Sequence, residues 1–157
     1  MKDFKKYLNR LMIIHGTLFV GQIIFAVVLY LQSTKSGLVV EGFLESNFEL
    51  VVAVVLVGSL IASFVISNQR LRVARNLSNL QDKLRSYQST MIIKWALMEA
   101  ASLWALIAFF LTNRMLFLGF SILVIATFGL VRPTKRRLYT ELHLSQSDRD
   151  LLSNYKP

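Results

Sequence analysis

The sequence predicts an all-α integral membrane protein, a four-helix bundle built from two tandem transmembrane hairpins. Three observations carry this reading. Of 157 residues, 54% are hydrophobic and 17% charged, whereas soluble domains hold about 45–50% and about 25%. The apolar residues fall into long blocks, each near the roughly 20 residues that cross a bilayer. The basic residues collect between alternate blocks, as the positive-inside bias of membrane proteins requires.

The chain opens on a basic stretch with Lys2, Lys5, Lys6 and Arg10. Residues 11–31 then run apolar, with His15, Gly16, Gly21 and Gln22 inside. A secretory signal has an apolar region of about 7–15 residues and a small-residue cleavage site. This run is longer and its end offers no such site, so it reads as the first membrane helix. A connector to Asn47 carries Glu41 and Glu45, and residues 38–40 form an apolar insert suited to the membrane interface.

The second helix is expected over residues 49–68. Glu49 suits the positive end of its dipole. Its valine-rich body would favour a strand in water, but a lone strand in lipid leaves its backbone unsatisfied, so helix is forced. Residues 69–90 turn polar and basic, with Arg70, Arg72, Arg75, Lys83 and Arg85. Leu71, Ala74, Leu77, Leu80, Leu84 and Tyr87 recur at helical steps of three and four. No Gly or Pro lies between Gly58 and Gly119. The second and third helices therefore extend past the membrane and meet in a turn near residues 79–82. That hairpin is either a solvated linker or a docking surface.

The third helix, residues 91–112, organises the rest. It is apolar apart from Lys94 near its start and a single acid, Glu99. An intramembrane carboxylate is costly and is a functional-site candidate by default. Asn113 and Arg114 make a very short turn before the fourth helix, residues 115–131, which Arg132 and Pro133 stop. The tail, residues 132–157, opens on Thr134, Lys135, Arg136 and Arg137, and a short helix is expected near residues 147–154, where Ser147 and Asp150 precede Leu151 and Leu152.

Four basic residues precede the first helix, five lie between the second and third, and six follow the fourth, against one in each remaining connector. Both termini are therefore expected in the cytoplasm. This distribution accounts for the net charge of +9 without nucleic acid. Arg70, Arg72 and Arg75, with Lys135, Arg136 and Arg137, are candidate contacts for anionic lipid, each contributing about 1 kcal/mol near the surface.

A faint repeat is also present. Shifted by 80 residues, Tyr7 falls on Tyr87 and the first helix on the third. Shifted by 64, residues 62–64 of the second helix fall on 126–128 of the fourth. Both halves share one topology, so a duplication here would be of the parallel kind.

Glu99 and His15 are the candidate ion- or proton-binding residues. If the first and third helices touch, an imidazole–carboxylate pair is geometrically reasonable, with Gln22 and Ser102 extending a polar track. Three readings stay open for Glu99: a proton- or cation-binding group tuned by His15, a structural hydrogen bond between helices, or an ion pair with a partner protein. Lys94, off the favoured spacing from Glu99, is expected to snorkel to the surface. Small-residue pairs that permit close helix approach recur at Gly58/Ala62, Ser59/Ser63, Ala96/Ala100 and Ala101/Ala105.

Catalytic residues are not expected. The nucleophile-elbow, zinc-protease and phosphate-loop patterns are missing. With no cysteine and two histidines, His15 and His143, neither a thiol nucleophile nor a metal site is predicted, and no cofactor is implied. The stretches MIIKWALMEAASLWALIAFFLT and GLVRPTKRRLYTELHLS resemble short four-helix bacterial inner-membrane proteins of unassigned function. The resemblance covers about a third of the chain. It implies an architecture and a bacterial inner membrane, and no activity. The rotary ATPase ring subunits also carry a membrane glutamate on helical hairpins, but their glycine-rich helices are missing here. Three functions stay open: an accessory subunit binding a membrane-protein partner, an oligomeric proton- or cation-coupled transporter or channel using Glu99, and a protein that organises anionic lipid.

Overall fold

The computed structural model describes residues 4–36 and 48–153. They form six helices: α1 (Phe4–Ser36), α2 (Phe48–Arg75), α3 (Leu80–Thr112), α4 (Met115–Leu130), α5 (Lys135–Glu141) and α6 (Gln146–Ser153). The apolar insert expected at residues 38–40, the acids Glu41 and Glu45 and the last residue of the expected terminal helix lie outside the described residues.

Three helices, α1, α2 and α3, are long and apolar enough to cross a membrane. A fourth crossing is counted if α4 and α5, bent by 87°, make one span. Their burial fits lipid as the solvent. Ile13, Ile24 and Leu31 of α1, Val54 and Ile61 of α2, and Ile122, Leu123 and Leu130 of α4 all point outward. In water such a surface would collapse or aggregate. An apolar groove of about 360 Å³ between α1 and α4, lined by Ile23, Val27, Leu118 and Ile122 among others, faces the same way.

α3 is the hub. α2 packs along it most extensively, then α4, then α1. Matched contacts give the directions. Tyr7 Oη donates to the Leu84 carbonyl at 2.8 Å, Ser102 meets Gln22 at 2.7 Å and Ser33 Oγ donates to Asn113 Oδ1 at 2.5 Å. Rising numbers in α1 meet rising numbers in α3, so the two run parallel. The last two pairs are each separated by 80 residues, the offset of the faint repeat. α2 runs antiparallel to α3: Arg70 bonds Ser89, Lys94 lies over Phe64, and Arg114, just beyond α3, pairs with Glu49.

The tandem-hairpin expectation meets a difference here. Among the described residues α1 scarcely touches α2 and lies against α3 and α4. The close approach to α4 rests on Gly129, where a Cβ would stand 3.1 Å from the Phe19 ring.

Helix ends follow local chemistry. α2 stops at Arg75 and α3 starts after Asn79, whose side chain accepts from the Gln81 N–H, close to the expected turn. Asn113 closes α3 in the left-handed region at φ 53, which Asn tolerates better than most residues. After Pro133, Thr134 caps α5 by accepting from the Arg137 N–H, and Ser145 Oγ accepts from the Asp148 N–H at the start of α6. α5 was not expected. Its Leu138 and Leu142 are fully buried with Leu144 and Leu152 in the largest core cluster, against Phe4, Leu71, Ala74, Leu84, Tyr87 and Met91. The tail therefore folds back over the basic end of the bundle. One side of the α2–α3 extension, expected as a solvated linker or an open docking surface, is covered by the chain's own α5 and α6.

Candidate functional site

The buried and exposed residues of α3 divide it lengthwise. Lys94, Trp95, Met98, Ala101, Ser102, Ala105 and Phe109 point into the bundle. Arg85, Ser89, Ile92, Ala96, Ala100, Trp104 and Ile107 point out. Glu99 sits at the edge of the outward stripe and is only partly covered. Its backbone carbonyl accepts from Ser102 Oγ at 2.9 Å. Among the described residues its carboxylate has no hydrogen bond and no ion pair. It lies about 15 Å along the helix from Ser89, at 1.5 Å per residue.

His15 is not Glu99's partner. Its Nε2 is 3.0 Å from the Phe128 carbonyl, its ring stacks on Phe128 at 4.6 Å and it meets Trp95 edge-on at 5.1 Å. The reason lies in α4, which ends two residues later. The Phe128 carbonyl, in the last turn, accepts the Val131 N–H at 3.0 Å, and its second lone pair, at the negative end of the helix dipole, takes the imidazole N–H as well. α1 and α3 do touch, as the expected pair required, but the ring turns to α4.

The expected polar track forms in part. Ser102 Oγ lies 2.7 Å from Gln22 Oε1 and 2.9 Å from the Glu99 carbonyl. One hydroxyl holds one proton and cannot donate to both. Turning the Gln22 amide end for end places its NH₂ on Ser102 Oγ and makes both contacts hydrogen bonds.

Lys94 departs from expectation. It does not snorkel; it is buried, with its ammonium 4.7 Å from the Phe64 ring centre, and it feels the charges of Glu141 and Arg137. The Tyr87 hydroxyl and Glu141 Oε2 are buried nearby without a hydrogen bond of standard geometry, and the carboxylate acts on that phenol. Neither residue is a site candidate in the sequence: Tyr87 enters as an apolar position and as the repeat match of Tyr7, and Glu141 as part of the cytoplasmic tail.

The six basic candidates separate into two sets. Arg75 Nε donates to the Glu141 carbonyl at 2.7 Å and so fastens the tail, and Arg137, in that tail, is half-buried. Lys135 lies over Tyr139 at 5.5 Å. Arg70, Arg72 and Arg136 are exposed, and Arg70 donates to Ser89 Oγ at 3.1 Å. Arg85, absent from the candidates, lines a pocket with Gln88, Ser89, Ile92 and Ile93. The signal was readable: these positions share one face at helical spacing.

Fold and site together define an all-helical protein with three to four candidate membrane spans and, among the described residues, an unpaired acid, Glu99, in the apolar part of its central helix. No protein-family model, no curated protein and no solved structure matches the chain.

Proposed function

We propose that this protein is an accessory subunit of a bacterial inner-membrane assembly, a four-helix bundle centred on α3 with both termini in the cytoplasm, and that α3 docks a membrane helix of another protein. The observation that carries this is the placement of Glu99. It is partly exposed, unpartnered among the described residues, and adjoins the outward Ala96 and Ala100. An acid at the centre of a membrane helix costs about 2.5–3.5 kcal/mol even on the lenient insertion scale. A partner donor at that depth offsets this cost, and the two alanines let a helix backbone come close enough to deliver it.

The partner is a helix bearing Lys, Arg, His or an amide at the depth of Glu99. A second copy fits less well. The outward residues of α1, α2 and α4 within the apolar blocks hold no cation, and Lys94 is buried. The basic end supplies a second contact region through Arg72 and Arg136.

The test is site-specific photocrosslinking in the native membrane, with the reactive group at Ala96 or, as a control, at the outward Ile61 of α2. Position 96 is expected to capture one protein, through a helix holding a basic or amide residue, and position 61 is not. Ala100→Leu is expected to abolish that adduct and Glu99→Gln to reduce it severalfold. Equal capture at both positions sinks the docking reading. Homo-oligomers whose proton flux in liposomes is lost in Glu99→Gln would replace it with the transporter.

A further inference from the structure

We infer that Arg70 and Arg85 form a seat for one anionic phospholipid, on the outward face where α2 and α3 leave the bilayer. The reasoning is independent of the docking proposal for Glu99. Arg85, Gln88 and Ser89 line a shallow pocket of about 340 Å³ whose remaining wall is Ile92 and Ile93. Arg70 reaches across from α2 and donates to Ser89 Oγ at 3.1 Å, so its guanidinium adjoins a residue of the pocket wall. Among the described residues Arg85 and Gln88 make no side-chain hydrogen bond or ion pair. Their donors are free, and no carboxylate is among the residues that line the pocket, Asp82 lying one turn earlier on α3.

The pocket is amphipathic along the helix axis. Its polar half holds the Arg85 guanidinium, an amide and a hydroxyl, and the Arg70 guanidinium sits against that hydroxyl. Its apolar half begins three residues further on, about 4.5 Å at 1.5 Å per residue, with Ile92 and Ile93. A phosphate diester fits the first half, because guanidinium presents paired donors that match its oxygens. An acyl chain fits the second. A free phosphate would use only half of the site, and this difference selects a lipid as the occupant. Arg72, Lys135 and Arg136 are exposed as well, but none of them lines this pocket or bonds a residue that does. They contribute diffuse attraction to an anionic surface.

The experiment is native mass spectrometry of the full chain in detergent, titrated with phosphatidylglycerol and, separately, with phosphatidylcholine. One phosphatidylglycerol is expected to bind ahead of any further ones, and phosphatidylcholine more weakly. Each basic residue at a membrane surface contributes about fivefold in affinity. Arg85→Gln is therefore expected to weaken the first binding about fivefold, and Arg70→Gln with Arg85→Gln by more than tenfold. Both residues are exposed, and the helical circular dichroism of the variants is expected to match wild type. Lys135→Gln with Arg136→Gln, which keeps the basic end but lies off the pocket, is expected to leave the first binding within twofold. Wild-type binding by the Arg70/Arg85 pair of variants overturns the inference, as does an equal loss in the Lys135/Arg136 control. Displacement of the lipid by millimolar inorganic phosphate also overturns it, by making this a free-anion site.

Discussion

Among single residues, Lys94 bears the most testable consequence. Its ammonium is buried and meets the face of Phe64 at 4.7 Å. Cation–π contacts contribute about 0.5–1 kcal/mol when exposed and about 2 when desolvated. Phe64→Leu is thus expected to lower stability by about 1–2 kcal/mol, and the same change in a Lys94→Met background by clearly less. Thermal unfolding of the four proteins in one detergent measures the coupling; strict additivity would make the contact incidental. The sequence could not reveal this arrangement. A lysine near a membrane-helix start ordinarily extends to the headgroups, whereas Lys94 is covered by the bundle with its ammonium over Phe64. His15 teaches the same point. Its presence in the first membrane helix was legible, but its partner is a backbone carbonyl of α4, and backbone acceptors leave no mark in the sequence. The polarity and depth of Glu99 were readable from its own helix. Its outward direction depends on which sides of α3 the other helices cover.

Among elements, α5 shows what apolar patterning conveys and what it hides. Long blocks announce α1 to α4, because some twenty apolar residues in a row have few explanations. α5 has seven residues, opens on three cations and reads as part of the basic tail. Its cues were the Thr134 cap and the spacing of Leu138 and Leu142, too short a pattern to stand above chance. Its packing is nonetheless central. Leu138 is fully buried between the N-terminal end of α1 and the α2–α3 extension, Phe4 stacks on Tyr139 at 6.3 Å and Arg75 bonds the Glu141 carbonyl. Leu138→Ala is expected to cost about 2–5 kcal/mol, the range for burying a cavity of that size. Limited proteolysis would then cut the tail before the membrane helices unfold. An unchanged cleavage rate would mean that the tail is not held as described. The choice of neighbours for α1 was also hidden. Helices adjacent in sequence usually pack together, and the long connector after α1 frees it to lie against α3 and α4 instead.

For the whole molecule, the open structural question is whether α4 crosses the bilayer. It has 16 residues, about 24 Å at 1.5 Å per residue, while the hydrocarbon core is about 30 Å thick. The shortfall can be met by local thinning at a fraction of a kcal/mol per Å. Its ends favour a crossing: Arg114 sits at one, Arg132 at the other, and the 87° bend after it turns α5 away from the line of the span. α4 also runs beside α3 and α1, with Phe128 at the His15 end and Phe117 beside Phe109, so it covers the same depth as its neighbours. The lack of cysteine makes the test direct. Single cysteines placed at Met115 and at Ser147, both exposed, are treated in intact spheroplasts with a maleimide that cannot cross membranes. Met115→Cys is expected to label, and Ser147→Cys only after the membrane is opened. Cysteine at Asn76, in the α2–α3 turn, should behave as Ser147→Cys does, since α2 and α4 run the same way and end on the basic side. Labelling of 115 and 147 from one side would make α4 a re-entrant helix. Three spans would then remain, the C-terminal tail would lie across the membrane from the N-terminus, and the contact between α5 and Phe4 could not form in a bilayer.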